Sequence, residues 1–340
     1  MKKWNGYQRG INLGGWLSQN VLTAEHCDTF ITESDIKIIA SWGFDHIRLP
    51  IDYNLILNDN GSFIESGFKY IDSFVEWCGK YSLNMILDLH KTAGFSFDEG
   101  EGEKGFFYDE NMISLFISIW TELAERYGKY NKNIAFELLN EIVEECDNEP
   151  WQKIAERTVK EIRRYAPETK ILIGSYMNNS VLTVKDIALP FDENIVYNFH
   201  CYEPLLFTHQ GAYWVKDMPT DFTIKYPVSK EKFLAESEKV PNILTFEWAV
   251  PDSGFNTEYF ENLFHEAIET VEKRDVILYC GEYGVIELSD PESVLNWYRD
   301  IHAVFEKYGI GRAIWCYKGK DFGISDGRLN IIQDEIIKNS

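Results

Sequence analysis

Residues 134–145 read IAFELLNEIVEE, an apolar run that carries one acid in its middle and another near its end. In a β-strand alternate residues share a face, so Glu137 and Glu141 are expected to point the same way. A buried carboxylate is costly unless it is paired or hydrogen-bonded. The run therefore predicts a buried strand whose two acids either form structural ion pairs or take part in chemistry.

Seven other short, β-rich runs are spaced along the chain, and segments of helical periodicity separate them. The eight predicted strands are GINLGG (10–15), HIRLPI (46–51), NMILDLH (84–90), IAFELLN (134–140), KILIGS (170–175), IVYNFHCY (195–202), VILYCGE (276–282) and RAIWCYK (312–318). Eight alternations of strand and helix predict a closed parallel (β/α)8 TIM barrel that forms a single domain over residues 1–340. A doubly wound sheet is the main alternative, but no G-x-G-x-x-G turn follows a strand.

The connection between the sixth and seventh predicted strands is too long for one helix and its loops. Its barrel helix is predicted at residues 257–275, which leaves approximately residues 203–255 as an insertion after strand six. Barrel enzymes keep their active sites at this end of the strands. The insertion is therefore expected to be a lid or cleft wall, and a subdomain without such a role is the alternative.

Composition and charge exclude some partners. The formal net charge of −22 would repel nucleic acid and anionic membranes, so a neutral or cationic ligand is expected. No run of about 18 apolar residues, the length of a membrane-spanning helix, is present. The N-terminus lacks the apolar core of a leader, so the expected location is cytoplasmic. A secreted form that has lost its leader is the alternative. The six cysteines form no C-x-x-C pair and are expected to be free thiols. The oligomeric state cannot be read from the sequence.

Polar side chains recur at the carboxyl ends of the predicted strands, where a barrel brings them together. They are Arg48, His90, Asn140, Glu141, His200, Tyr202, Glu282 and Trp315. Two glutamates that face one another across a barrel mouth suit the cleavage of a glycosidic bond, because one acid must donate a proton while the other attacks or activates water.

Six motifs, in order and at barrel spacing, resemble those of glycoside hydrolase family 5, within the clan of retaining (β/α)8 glycosidases. They are RGINLGGWL near the start, HIRLP, DLH, FELLNE, HCY and GEYG. The chain is particularly similar to clostridial endoglucanases of the C type, which also have a long insertion after strand six.

The resemblance implies roles for individual residues. Glu141 would be the general acid/base and Glu282 the nucleophile, with Asn140 bound to the sugar 2-hydroxyl. Arg48 and Tyr202 would orient Glu282 and stabilise its charge, while His90, His200 and Trp315 would line the site of the bound sugar. Glu137 would lie one layer below and fix the site through an ion pair or hydrogen bond. The implied reaction is hydrolysis with retention, with the two carboxyl groups about 5 Å apart.

The sequence departs from the family pattern at two positions. Ile142 replaces the proline that commonly follows the acid, and Lys91 replaces a second histidine. Lys318 and Lys320, after strand eight, are candidate hydroxyl donors to the substrate.

The implied substrate is β-1,4-glucan, including mixed-linkage glucan, cleaved in endo mode without a cofactor. Mannan or glucomannan, and exo-acting cleavage of β-1,3-glucan, are the alternatives with the same acid pair. A metal-dependent hydrolase would use Asp88, His90, His200 and Glu282, but the first strand lacks the H-x-H that such sites usually carry. A non-catalytic sugar-binding barrel is the other alternative, and nothing in the sequence argues for lost activity.

Overall fold

The computed structural model describes residues 1–98, 100 and 104–340, apart from the side chain of Asn339. Eight parallel strands pair in chain order, and the first also pairs with the last, so that Gly10 aligns with both His46 and Ala313. The strands are β1 (Arg9–Asn12), β2 (His46–Asp52), β3 (Asn84–Lys91), β4 (Ile134–Glu137), β5 (Ile171–Ile173), β6 (Ile195–Cys201), β7 (Ile277–Tyr283) and β8 (Gly311–Ile314). The prediction of a closed barrel is confirmed.

Helices surround the barrel. In chain order they are α1 (Ala24–Thr29), α2 (Glu33–Ser41), α3 (Glu65–Tyr81), α4 (Glu110–Tyr127), α5 (Asn148–Ile162), the four-residue α6 (Tyr176–Asn179), α7 (Leu205–Thr208), α8 (Lys230–Ser237), α9 (Thr257–Arg274), α10 (Pro291–Tyr308) and α11 (Gln333–Asn339). The expectation of a full helix after every strand is wrong between β5 and β6, where α6 and a 3-10 helix (Val181–Asp186) make the connection.

Local sequence explains where the long helices begin and end. In α10 the side chain of Asp290 accepts from the backbone N–H of Ser293, and Pro291 occupies the first turn, where no intrahelical donor is needed. The helix stops at Gly309, whose φ of +69° is easily adopted only without a side chain. These signals fix the two ends of α10.

Two apolar regions hold the barrel together. The larger one lies between the strands and the helices, and buries Trp16, Trp120, Trp151 and Trp297 completely. A smaller cluster fills the lower part of the barrel interior, and its members include Trp4, Tyr7, Ile86, Ala135, Leu172, Val196 and Tyr279. At this level His46 is also buried, with its Nε2 2.6 Å from the hydroxyl of Tyr279. Arg48, two residues later in β2, lies above it, toward the carboxyl ends of the strands.

Several strands end earlier than the sequence predicts. Strand β4 ends at Glu137, so Asn140 and Glu141 lie in the segment that follows it, and β8 ends at Ile314, just before Trp315. The prediction that Glu137 and Glu141 share one face of a strand is wrong, because the chain leaves the sheet between them. Both acids nevertheless reach the same end of the barrel.

The segment between β6 and α9 contains α7, α8 and a 3-10 helix (Glu247–Ala249). It contributes its own buried residues, among them Phe207, Tyr226, Phe233 and Phe255. All six cysteines are free, and five of them are buried. In the described part of the chain, no helix is long and apolar enough to cross a membrane.

Candidate active site

Along β3 and along β6 the inward-facing side chains change from apolar to polar toward the carboxyl end of the strand. In β3 the order is Ile86, then Asp88, then His90, and in β6 it is Val196, Asn198 and His200. Because inward positions recur every second residue in a strand, these side chains form successive layers. The polar layers lie on top of the apolar cluster and open toward the barrel mouth.

Arg48 is fully buried and holds the lower polar layer together. Its Nε and Nη2 donate to the two carboxylate oxygens of Glu137 at 2.7 and 2.8 Å, and Nη2 also lies 3.0 Å from Asp88. Asn198 donates to Glu137 at 2.8 Å. The prediction that Glu137 fixes the site through buried pairing is confirmed.

The same guanidinium reaches the upper layer. Nη1 donates to Oε1 of Glu282 at 2.7 Å and to Oδ1 of Asn12 at 3.0 Å, while Nη2 donates to Oδ1 of Asn140 at 2.9 Å. The oxygen of Asn140 is thereby committed to Arg48, and its amide nitrogen is the group left to donate to a ligand.

Glu282 reaches the barrel mouth because of an irregularity in β7. Tyr279 faces the barrel interior, so strict alternation would turn Glu282 outward together with Cys280. The register against β6 shifts between Phe199 and His200, so that His200 pairs with Glu282. A bulge of this kind re-aims a side chain.

Glu282 is held on both oxygens. Arg48 donates to Oε1, and the hydroxyl of Tyr202 donates to Oε2 at 2.8 Å. Gly281 makes room beside it, since a Cβ at that position would lie 2.8 Å from Oδ1 of Asn198 and 3.0 Å from Nε2 of His200. The sequence resemblance named both partners of Glu282, whereas the bulge has no local sequence signal.

Glu141 lies in a different environment. Its Oε1 is 2.7 Å from Nδ1 of His200, and its Oε2 accepts from Nδ2 of Asn178 at 2.9 Å. Burial raises the pKa of Glu141 to about 7, and the hydrogen bond from Asn178 partly opposes that rise. Glu141 therefore keeps a proton over a pH range in which an ordinary glutamate has lost it.

His200 is neutral at working pH, because burial lowers its pKa to about 4. Its Nδ1 also lies 3.8 Å from Oε2 of Glu282, so the imidazole sits between the two acids. One ligand-type atom from each of Glu141, His200 and Glu282 lies within 4.8 Å of the other two.

This spacing allows two interpretations, a cation site or an acid pair. Both oxygens of Glu282 already accept from Arg48 and Tyr202, and a guanidinium at 2.7 Å would repel a cation. An acid pair with a carboxylate separation near 5 Å is the arrangement used for glycoside cleavage with retention. The metal alternative also needs Asp88, whose Oδ2 already contacts Nη2 of Arg48 at 3.0 Å and Nδ1 of His90 at 2.6 Å.

A stacked pair of rings forms part of the cavity wall. The imidazole of His90 and the indole of Trp315 are parallel within 6°, with centroids 5.8 Å apart, and Phe97 meets His90 edge-on. Both His90 and Trp315 line the cavity. An exposed aromatic face in a cleft suits the apolar face of a sugar ring.

The cavity at the barrel mouth has a volume of about 1040 Å³. Its walls include the acid pair and the ring pair, together with Gln19 and Lys320 on one part and Asn178, Met177 and Val143 on another. The segment between β6 and α9 supplies further lining residues, which are Glu203, Leu205, His209, Tyr213, Trp214, Val215, Ile243, Leu244 and Phe246. In the loop after β3, residues 99 and 101–103 lie outside the described part of the chain.

The structure does not bring Lys318 into this cavity. Its ammonium group pairs with Asp35 at 3.2 Å and lies over the ring of Phe30. Lys320 lines the cavity, and its Nζ donates to the backbone oxygen of Gln19 at 2.6 Å. Residues 319–321 all have positive φ, and this turn of the backbone directs neighbouring lysines to different places, which residue type alone does not predict.

Sequence reasoning missed several polar partners of the site. Asn12 and Asn198 hold Arg48 and Glu137, and Asn178 holds Glu141. The motif DLH did contain a signal for Asp88, since residues two apart in a strand face the same side. Asn178 follows a strand of only three residues and had no comparable signal.

Comparison with known proteins agrees with this geometry. The model of the cellulase family, glycosyl hydrolase family 5, matches residues 7–321. The chain is 48% identical to cellodextrinase A of Ruminococcus flavefaciens, over 92% of this chain and 86% of the relative. It is 41% identical to endoglucanase C of Acetivibrio thermocellus, over 97% of both chains.

A solved structure supports the fold. The endoglucanase Cel5A of Thermotoga maritima, solved in complex with cellobiose, superposes with a TM-score of 0.76 at 23% identity and covers 97% of each chain. The extent of the family match and the identity to two relatives along nearly their whole length establish the family. The chain belongs to glycoside hydrolase family 5, the cellulase family, and is a glycoside hydrolase.

Proposed function

We propose that this enzyme is a retaining endo-β-1,4-glucanase, which hydrolyses cellulose-type and mixed-linkage β-glucans and their soluble oligosaccharides by double displacement. The observation that carries the proposal is the pair Glu141 and Glu282, with carboxylate oxygens within 4.8 Å, in a cavity lined by stacked aromatic rings. The two acids differ in the way the reaction requires. Glu141 keeps its proton because it is buried, whereas Glu282 accepts a hydrogen bond from the cationic Arg48.

In the first step Glu141 donates its proton to the glycosidic oxygen while a carboxylate oxygen of Glu282 attacks the anomeric carbon. The bond to the leaving sugar breaks, and a covalent glycosyl ester forms on Glu282. Arg48 and Tyr202 hold Glu282 in place for attack, since each donates to one of its oxygens. We assign to Asn140, whose oxygen accepts from Arg48, the donation of its amide to the sugar 2-hydroxyl.

In the second step the ionised Glu141 removes a proton from water, and the hydroxide attacks the anomeric carbon. The ester bond breaks and Glu282 leaves as a carboxylate, so the product keeps the anomeric configuration of the substrate. His200 stays uncharged throughout, because burial keeps its pKa low, and its Nδ1 positions Glu141. The acid pair and one water molecule supply the protons and electron pairs that these two steps need.

The substrate assignment draws on the relatives. One relative is named for cellodextrins, which are oligosaccharides of β-1,4-linked glucose, and another is named an endoglucanase. We assign the rings of His90 and Trp315 to the sugar next to the cleaved bond, and the wall formed by the segment after β6 to sugars farther along the chain. Lys320 and Gln19 line the cavity on another part, where they can bind sugar hydroxyls.

The test is the yield of reducing sugar from carboxymethylcellulose, mixed-linkage glucan, glucomannan, mannan, xylan and laminarin. The wild-type enzyme is compared with Glu141→Gln, with Glu282→Gln, and with Glu145→Gln, which changes an exposed acid of the same loop. We expect activity on the glucans that both site variants abolish and the control retains. Proton NMR of early products should show the β anomer first.

Two outcomes would replace the proposal. Activity mainly on mannan would make the enzyme a mannanase with the same acid pair, and release of glucose alone from laminarin would make it exo-acting on β-1,3-glucan. Unchanged hydrolysis by Glu282→Gln would remove the catalytic assignment itself.

A further inference from the structure

The short segment after β5 has an unusual backbone. Met177, Asn178 and Asn179 have φ of +53°, +55° and +54°. Three consecutive residues with side chains rarely occupy the left-handed region, because Cβ then approaches the backbone, although asparagine tolerates it better than most. Such a conformation persists only where the surroundings impose it, and it concentrates at functional sites.

The surroundings that impose it belong to the loop that carries Glu141. The backbone N–H of Met177 donates to the oxygen of Val143 at 3.1 Å, and that of Asn178 donates to the oxygen of Ile142 at 2.9 Å. The two residues that follow the acid are therefore bonded to the left-handed segment, at the position where Ile142 replaces the proline common in the family.

The segment is also fixed from below. Gly174 leaves the space that the side chain of Asn179 occupies, and a Cβ at Gly174 would overlap it. The backbone oxygen of Gly174 accepts from Nε1 of the buried Trp151 at 3.1 Å. The left-handed residues are thus held between the end of β5 and the acid loop.

This geometry directs the side chain of Asn178 at the acid. Its Nδ2 donates to Oε2 of Glu141 at 2.9 Å, while Nδ1 of His200 meets the other oxygen at 2.7 Å. The two oxygens of Glu141 therefore contact side chains from two elements, since His200 belongs to β6 and Asn178 follows β5. Asn178 lines the cavity and is exposed to it.

We propose that Asn178 is a positioning residue for the general acid, and that the left-handed segment 177–179 exists to hold its amide on Glu141 and so to set the upper pH limit of hydrolysis. The inference rests on the proposed function, in which Glu141 is the acid. An amide N–H bonded to a carboxylate favours the charged form, so Asn178 opposes the effect of burial on Glu141.

Other ionisable groups also face Glu141 and must be kept constant in the test. They are His200, Glu282, Tyr202, Arg48, Asp88, Asp98 and Glu203. None of them bonds to Oε2 of Glu141 in the described part of the chain. Substitution of Asn178 therefore changes one neighbour of that oxygen and leaves the others in place.

The experiment measures kcat/KM against pH for hydrolysis of an aryl β-cellobioside. The fall of kcat/KM at high pH, here called the upper limb, reports the pKa of the acid in the free enzyme. Asn178→Gly removes the amide but accepts the left-handed backbone. Asn178→Asp keeps the shape and places a second carboxylate beside Glu141. Ser82→Gly is the control, since it changes an exposed left-handed residue at the end of α3, which does not line the cavity.

We expect the upper limb to move to higher pH by roughly one to two units in Asn178→Gly, the size set by one hydrogen bond to a charged group. Asn178→Asp should move it further, because a like charge disfavours the ionised acid. Ser82→Gly should leave the limb in place. Circular dichroism confirms that each variant is folded.

An unmoved limb in both Asn178 variants, or an equal movement in Ser82→Gly, would overturn the proposal. These results are separable from failure of the proposed function, because Glu141→Gln tests the acid directly. If Glu141→Gln abolishes hydrolysis while the Asn178 variants keep the wild-type limb, only the positioning role is lost.

Discussion

Nη1 of Arg48 donates to Oε1 of Glu282 across 2.7 Å, and the same fully buried guanidinium binds Glu137 through two further bonds. One cation thus connects the lower polar layer of the barrel to the catalytic layer. Asp88 adds a third carboxylate 3.0 Å away. The position of the proposed nucleophile and the stability of the barrel interior therefore depend on the same side chain.

Replacing Arg48 by Lys should lower kcat by roughly 10- to 100-fold, since a lysine cannot supply the fork that reaches Glu137 and Glu282 together, and a hydrogen bond between charged groups contributes about 1.5–3 kcal/mol. Replacing it by Met should also lower the free energy of unfolding by about 3–5 kcal/mol, because three buried carboxylates lose their partner. Steady-state kinetics and urea unfolding measure the two effects.

Arg126→Lys is the control for this prediction. Arg126 pairs with Glu65 and Glu122 on the outer helices, and exposed pairs contribute about 0.2–1 kcal/mol. A kcat of Arg48→Lys equal to that of the wild-type enzyme would show that charge alone, without the fork, positions Glu282.

The pH dependence of hydrolysis should follow the proton of Glu141. Burial raises its pKa to about 7, so the acid is protonated below that pH and kcat/KM should fall as pH rises through 7. A substrate with a dinitrophenyl leaving group needs little protonation and should show a much weaker fall. Equal falls for an aryl glycoside with a poor leaving group and for the dinitrophenyl glycoside would mean that another group causes the limb.

Glu141→Gln should stabilise the protein at neutral pH. Between pH 4.5 and about 7 the carboxyl group of Glu141 ionises in the unfolded chain but stays protonated in the folded one, so the folded state binds more protons and loses stability as pH rises. Glutamine removes that cost. The free energy of unfolding of the variant should exceed that of the wild type by about 1–3 kcal/mol at pH 8, with little difference at pH 4.5.

Glu145→Gln controls for the loss of one negative charge from a protein of net charge −22. The difference in free energy of unfolding between Glu145→Gln and the wild type should be the same at pH 4.5 and at pH 8. If this difference rises with pH as much as it does for Glu141→Gln, general charge repulsion and not the buried acid explains the effect.

The sequence predicts the barrel and the acid pair because both depend on local patterns. Eight β-rich runs at regular spacing are sufficient for the strand order, and Glu141 and Glu282 stand in motifs whose spacing the barrel preserves. Local sequence patterns do not predict how the side chain of Glu282 reaches the cavity. Its inward direction depends on a register shift against β6, and a shift is a property of two strands together.

The positions of loop side chains are the second feature of the site that local sequence patterns do not predict. Lys318 and Lys320 look equivalent in the sequence, yet one pairs with Asp35 outside the cavity and the other lines it. Asn178 reaches Glu141 only because its backbone is left-handed and bonded to the acid loop. Contacts of this kind depend on backbone hydrogen bonds between distant segments, which hydrophobic periodicity does not encode.

The segment between β6 and α9, predicted from the sequence as an insertion that forms a lid or cleft wall, can be tested through two of its tryptophans. Trp214 lines the cavity and packs near His209 and Phe322, with ring centroids 6.2 and 6.3 Å away. Trp248 belongs to the same segment and is 62% exposed, but it does not line the cavity.

Trp214→Ala should therefore raise KM for mixed-linkage glucan by roughly 3- to 10-fold, with kcat nearly unchanged. This is the effect of losing one aromatic contact of about 0.5–1.5 kcal/mol. Trp248→Ala should leave both constants as they are, and Trp214→Phe should recover part of the loss. Equal KM values for the Trp214→Ala and Trp248→Ala variants would show that the segment does not bind substrate through this face, since only one of the two rings reaches the cavity.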